Sequence, residues 1–209
     1  NLQFGSGIVT NDVIVTQANG GKDIVLTIAG TNDSVTLSNQ FIGTTGGVDH
    51  VQFADGTVWD RSTLVLKSLV PTAGDDVLSG DGGANMLAGG AGNDTLIGRG
   101  GADTYIYTLG DGRDIIDDQG GSDGNTVQLH GISAADVHVV RSGDSALLLF
   151  GADPNGHLTL AQQFNGMGTI ERFEFDDGTV WTDADILSRA TSGQGNIILG
   201  TDVADTVVG

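Results

Sequence analysis

Asp94 and Asp103 stand nine residues apart, and each is the sixth residue of a run that opens on glycine. Gly89-Gly90-Ala91-Gly92-Asn93-Asp94-Thr95-Leu96-Ile97 fits the pattern G-G-x-G-x-D-x-U-x, with U a large apolar residue, at every position. Gly98 to Ile106 fits with one glycine replaced, and Gly80 to Ala88 fits with Asn85 at the sixth place. Residues 71–79 open the series and keep Gly74, Asp76 and Leu78. Two further copies follow, each delayed by two residues: Gly110-Asp111-Gly112-Arg113-Asp114-Ile115-Ile116 and Gly120-Gly121-Ser122-Asp123-Gly124-Asn125-Thr126-Val127. Short-armed carboxylates set among glycine turns offer the oxygen-only donor set of a hard divalent cation such as Ca²⁺, which takes roughly six to eight oxygens.

A nine-residue period dictates the elements that must hold these groups. Six residues make a turn, where glycine permits φ > 0 and close backbone approach. Three make a minimal strand whose central side chain points inward. Two repeats complete an 18-residue coil, so alternate repeats stack on the same side. The apolar positions Leu78, Leu87, Leu96, Tyr105, Ile116 and Val127 then line one interior. Stacking should set Asp76 against Asp94 and Asp94 against Asp114 on one side, and Asn85 against Asp103 and Asp103 against Asn125 on the other. Without a cation the facing carboxylates repel, and the pairs that contain Asn, carrying less charge, should bind one more weakly.

Composition agrees. Glycine makes up 35 of 209 residues, and 27 acids against 8 bases give a net charge of −19. Only Glu171 and Glu174 among the acids are glutamates, which favours turns and short ligand arms over general acidity. Collagen is excluded by the lack of a three-residue glycine period, and a disulfide scaffold by the absence of Cys. The scarcity of Lys and Arg excludes a nucleic-acid face, and no apolar run approaches the ~20 residues of a membrane span. No classical signal peptide is visible at the start.

Residues 71–126 resemble the RTX (repeats-in-toxin, haemolysin-type calcium-binding) family. The resemblance implies a parallel β-roll, calcium as cofactor, and ligands drawn from the turn carbonyls and the sixth-position side chains. The residues it assigns to metal are Gly74, Asp76, Gly80, Gly82, Gly83, Asn85, Gly89, Ala91, Gly92, Asp94, Gly98, Gly100, Gly101, Asp103, Asp111, Asp114 and Asn125. It also implies a secreted, extracellular or cell-surface protein exported by a type I machine.

A longer repeat surrounds the array. Phe53-Ala54-Asp55-Gly56-Thr57-Val58-Trp59 recurs as Phe175-Asp176-Asp177-Gly178-Thr179-Val180-Trp181, and Asn39-Gln40-Phe41 as Gln162-Gln163-Phe164. Both copies read as short antiparallel strands, with hairpins at Asn19-Gly20-Gly21, Ser142-Gly143-Asp144 and Asp176-Asp177-Gly178. A helix over 184–189 would be capped by Thr182 or Asp183, and Asp60 would cap its counterpart. These segments resemble the haemolysin-type calcium-binding related domain. The expected fold is all-β: a β-roll (two-sheet solenoid) over 71–126, flanked by antiparallel modules over 1–70 and 127–190. A second array opens over 191–209 at Gly195-Asn196-Ile197, so the chain reads as a window on a longer tandem series whose neighbouring repeats are partners.

Other residues point less far. His50, His130, His138 and His157 lack zinc-site spacing. Glu171 and Glu174 lie close together, as glycosidase carboxylates do, but without an equivalent pair in the first copy. Trp59 and Trp181 suit a sugar-stacking face or a module core. Asp153-Pro154-Asn155-Gly156 reads as a turn; in some RTX proteins that it resembles, an Asp-Pro bond is the site of a calcium-triggered self-cleavage. The expected protein is a non-enzymatic calcium-binding module. The alternatives are an adhesin or carbohydrate-binding segment, with a glycan or cell surface as partner, and an accessory region of a secreted polysaccharide-active or self-processing enzyme.

Overall fold

The computed structural model describes residues 1–41 and 47–192; the array expected from Gly195 onward lies outside them. The first module comprises β1 (Leu2–Gln3), β2 (Val13–Ala18), β3 (Asp23–Ile28), β4 (Ser34–Leu37), β5 (His50–Gln52), β6 (Val58–Asp60) and α1 (Arg61–Ser68). Strands β2, β3 and β4 form an antiparallel sheet, and a second sheet orders β1-β5-β6. Alternation places Val13, Val15, Ile24 and Leu26 inside, as half-buried strands require. Asn19, Gly20 and Gly21 all take positive φ in the β2–β3 turn. Asp60 starts α1 by accepting a hydrogen bond from the Thr63 N–H at 2.8 Å.

The roll follows with β7 (Val77–Ser79), β8 (Met86–Ala88), β9 (Thr95–Ile97), β10 (Thr104–Thr108), β11 (Arg113–Ile116) and β12 (Thr126–His130). Strands β7, β9 and β11 stack in parallel, with Leu78 beside Leu96 and Leu96 beside Ile116. On the other side β8, β10 and β12 stack in parallel, with Leu87 beside Tyr105 and Tyr105 beside Val127. All six of these side chains are at most 4% exposed, so the two sheets share one interior.

The chain continues through β13 (Val137–Ser142), β14 (Ser145–Phe150), β15 (Asp153–Leu160), β16 (Arg172–Phe175), β17 (Val180–Thr182), α2 (Asp183–Arg189) and β18 (Thr191–Ser192). Thr182 caps α2, its side chain paired with Asp185. The sheets do not end at residue 126. β15 adds in parallel to β11, pairing Asp114 with Leu158, and β16 adds in parallel to β12, pairing Val127 with Phe173. Leu158, Leu160, Phe173 and Phe175 extend the roll interior, and one buried cluster runs from Leu78 to Ile186. The first module keeps a separate core, with Leu69 packed against both.

Asp153-Pro154-Asn155-Gly156 makes the side-chain turn that its composition suggests, Asp153 Oδ1 accepting the N–H groups of Asn155 and Gly156 at 3.1 and 3.0 Å, but makes it inside a strand and not between two. The chain reverses at Gly151-Ala152, and Asp153 already opens β15. Between the pairs Phe150–Asp153 and Leu149–His157 the register shifts, so residues 154–156 bulge. Pairing of β15 with β11 begins only at His157, so Pro154, which has no N–H, breaks no ladder bond there.

Candidate metal centre

The sixth-position residues form two ladders across the stacked turns. Asp94 Oδ1 accepts the backbone N–H of Asp76 at 2.7 Å, and Asp114 Oδ1 accepts that of Asp94 at 3.0 Å. On the other side Asp103 Oδ1 accepts the N–H of Asn85 at 2.7 Å, and Asn125 Oδ1 accepts that of Asp103 at 2.9 Å. Each side chain thus reaches toward the coil beneath it and spends one oxygen on a backbone donor.

The second oxygen is the informative one. Asp94, Asp103 and Asp114 are each 1% exposed, and Oδ2 of all three is buried with no hydrogen-bond partner. An unmet buried carboxylate oxygen costs free energy. Burial is the largest cause that raises these carboxyls above their ordinary 3.8, carrying Asp103 and Asp114 up to about 7, with neighbouring acids adding to it. Such oxygens call for a proton or a cation.

The turn glycines make room for that arrangement. A Cβ on Gly89 would sit 2.6 Å from Asp94 Cβ and 2.7 Å from its Cγ, and one on Gly98 would sit 2.8 Å from Asp103 Cγ. Gly80 likewise leaves space for Asn85 and lies against the Gly98 carbonyl. Successive turns touch backbone to backbone: a Cβ on Gly92 would lie 2.8 Å from the Gly74 carbonyl oxygen, and one on Gly101 2.8 Å from that of Gly83. Carbonyl oxygens and carboxylates therefore share the narrow space between coils, and the residues present fit a calcium ion there.

Several assigned residues are less enclosed. Ala91 is exposed, Gly82 has open space beside it, and Gly100 lies 3.9 Å from Gly82 by the same measure. Asp76 is only partly buried and closes its own turn through the Thr72 N–H at 2.7 Å and hydroxyl at 2.9 Å. Asp111 similarly accepts the Thr108 N–H at 2.7 Å. Among the described residues no three His, Cys, Asp or Glu side chains gather as a metal-binding group.

Two residues outside the nonapeptide frame join the ladders. Glu171 Oε2 accepts the Asn125 N–H at 2.6 Å, continuing the Asn-bearing ladder, while its Oε1 is buried without a partner. Because β16 stacks on β12, Gly166, Glu171 and Phe173 occupy the first, sixth and eighth places of one more nine-residue frame. Asp118 is fully buried and accepts the Tyr105 hydroxyl at 2.6 Å. It stands two residues past Ile116, where Gly98 stands two past Leu96, and the two-residue delay hides that correspondence.

The remaining chemical candidates disperse. Glu174 pairs with Arg172 at 2.6 Å, turned away from the bond that Glu171 makes to Asn125. His130 pairs with Asp176 at 2.7 Å. Trp59 and Trp181 are each 5% exposed and pack edge-on against Phe53 and Phe175, so they close module cores and offer no stacking face. No helix among the described residues is long and apolar enough to cross a membrane.

Comparison with known proteins agrees with this geometry. The model of the haemolysin-type calcium binding protein related domain matches residues 23–63 and 148–185. The model of the RTX calcium-binding nonapeptide repeat, in four copies, matches residues 71–105. Among solved structures, the extracellular lipase LipA from Serratia marcescens is similar at 18% identity and a TM-score of 0.32, over 76% of this chain and 31% of that one. The chain thus spans about a third of that lipase's length. No curated protein matches. Residues 71–105 thus belong to the RTX calcium-binding nonapeptide repeats and residues 23–63 and 148–185 to the haemolysin-type calcium binding protein related domain, and the chain is a calcium-binding module of the kind typical of secreted bacterial proteins.

Proposed function

We propose that calcium switches this module from unfolded to folded as the parent protein passes from the cytosol to the outside, after export by a type I machine. The observation that supports it is the set of three buried, unpartnered Oδ2 atoms on Asp94, Asp103 and Asp114. These carboxylates, with the turn carbonyls at Gly74, Gly83 and Gly92, are the groups that would hold the ion. Bound there, Ca²⁺ supplies positive charge that neutralises the facing oxygens. The chain's own part is to hold them at fixed spacing: the ladder bonds orient each carboxylate, and the glycines let the coils approach.

Extracellular calcium modules bind at around 10⁻⁴–10⁻³ M, above cytosolic supply. In the cytosol the carboxylates stay uncompensated, and the glycine-rich turns retain their chain entropy. Outside, at ten times the Kd, each site adds roughly 1.4 kcal/mol, so a few sites match a domain's whole stability. The module acts as structure in this account and carries no catalysis of its own. The adhesin reading loses its aromatic face with the burial of both tryptophans. Far-ultraviolet circular dichroism during a calcium titration tests the coupling. The expected folding midpoint lies at about 10⁻⁴–10⁻³ M, and a midpoint at cytosolic, submicromolar calcium would contradict it.

A further inference from the structure

The turn at Asn125 is closed differently from those of the three buried aspartates. In Asp94, Asp103 and Asp114 one oxygen takes a backbone N–H and the other is left bare. Asn125 makes the first bond in the same way, its Oδ1 accepting from Asp103 N–H at 2.9 Å. Its second atom is a nitrogen. Nδ2 donates to Asp118 Oδ2 at 3.0 Å, to the Gly121 carbonyl at 3.3 Å and to the Thr169 carbonyl at 3.3 Å. Three oxygens, one of them on a carboxylate, converge on the positive end of an amide.

The surroundings fix that amide in place. Asn125 and Asp118 are both 0% exposed. Asp118 is held by the Tyr105 hydroxyl and by the Gly120 N–H at 3.0 Å. The loop that brings Thr169 is braced by Gln163, whose side chain donates to the Ile170 carbonyl and accepts its N–H, each at 2.9 Å. The Asn125 N–H goes to Glu171, and its carbonyl accepts from the N–H groups of Glu171 and Arg172 at 3.1 and 3.2 Å. Every polar atom of this residue is used.

We infer that the Asn125 amide fills this oxygen cage in place of a cation, so that the joint between β12 and β16 needs no ion of its own, and that the cage is a latent cation site which Asn125→Asp opens. Asn125, placed among the ligands by the nonapeptide frame, is thereby a built-in substitute for one. The inference rests on the calcium reading of the other turns. A carboxylate at 125 would face Asp118 with no donor between them, and only a cation or a shared proton could reconcile the two.

Hydrogen exchange of residues 126–130 and 172–175, read at mildly alkaline pH at the lowest calcium that folds the natural chain and again at saturating calcium chloride, tests this, together with a count of bound ions by native mass spectrometry. At the lower calcium, Asn125→Asp should exchange at least about tenfold faster there than the natural chain, as expected for a buried polar group left unmet. Saturating calcium should remove the difference and add one bound ion over the natural count. The double variant Asn125→Asp with Asp118→Asn, which returns an amide donor to the 3.0 Å bond, should regain part of the protection at the lower calcium. Equal exchange of Asn125→Asp and the natural chain at the lower calcium overturns the inference, as does an Asn125→Asp chain that neither saturating calcium nor the second substitution restores. A natural chain that folds without binding calcium overturns the calcium reading instead, and the same comparison made without calcium then decides on the amide.

Discussion

Asp94 serves two turns at once. Its carboxylate takes the Asp76 N–H, and its own N–H goes to Asp114. Asp76 stands at the partly buried edge of the same stack, its carboxylate turned to Thr72. Asp94→Ala should therefore raise the calcium midpoint by about tenfold or more, because affinity follows the charge of the ligand set, and Asp76→Ala by clearly less. Equal shifts in a calcium titration would refute the stacking. Protons offer a second probe. Asp103 and Asp114 have ordinary values of 3.8 when unfolded and are raised to about 7 by burial when folded. The folded chain therefore binds protons that the unfolded chain does not at pH values between those limits, and its stability rises as pH falls. In chelator, order measured by circular dichroism should increase from about pH 7 to about pH 4 and level off below. Loss of order across that window would refute the assignment of these carboxyls as uncompensated.

The turns separate steric from conformational demands on glycine. Gly89 and Gly82 both have ordinary φ, but a Cβ on Gly89 would strike Asp94, while one on Gly82 meets nothing within 4 Å. Gly89→Ala should cost about 1–3 kcal/mol of calcium-loaded stability through overpacking, and Gly82→Ala close to none, in thermal melts of the two variants. At the other end of the roll, the Gln17 side chain binds the Ser79 carbonyl at 2.7 Å and its N–H at 2.8 Å, meeting the backbone of edge strand β7. Gln17→Ala should lower roll stability by about 1–2 kcal/mol. The repeat period made the roll interior and the sixth-position stacking legible, because a nine-residue frame leaves one way to place Leu78, Leu96 and Ile116 together. It did not reveal β15 and β16 as further roll strands. Their contacts come from residues more than forty positions away, such as Asn125 with Glu171, and their turns depart from the glycine pattern. The Asp153-Pro154 stretch keeps its local turn through the Asp153 side chain but is a bulge within β15, because pairing with β14 and β11 resumes at His157.

At the scale of the molecule, a chain of net charge −19 gathers several acids into the interior of one solenoid. Self-repulsion of that size opposes a compact state, and the sheet hydrogen bonds and the shared core from Leu78 to Ile186 must act against it. The modules complete the solenoid: the second one extends both of its sheets, and the first one covers an edge. In the proposed function, calcium between the coils turns that repulsion into cohesion. A crystal structure of the chain grown in calcium, with anomalous scattering collected to locate the ions, measures it most directly. Calcium should appear about 2.3–2.6 Å from Oδ2 of Asp94, Asp103 and Asp114, with turn carbonyls completing the shell. Ordered coils with only water at those oxygens would contradict it.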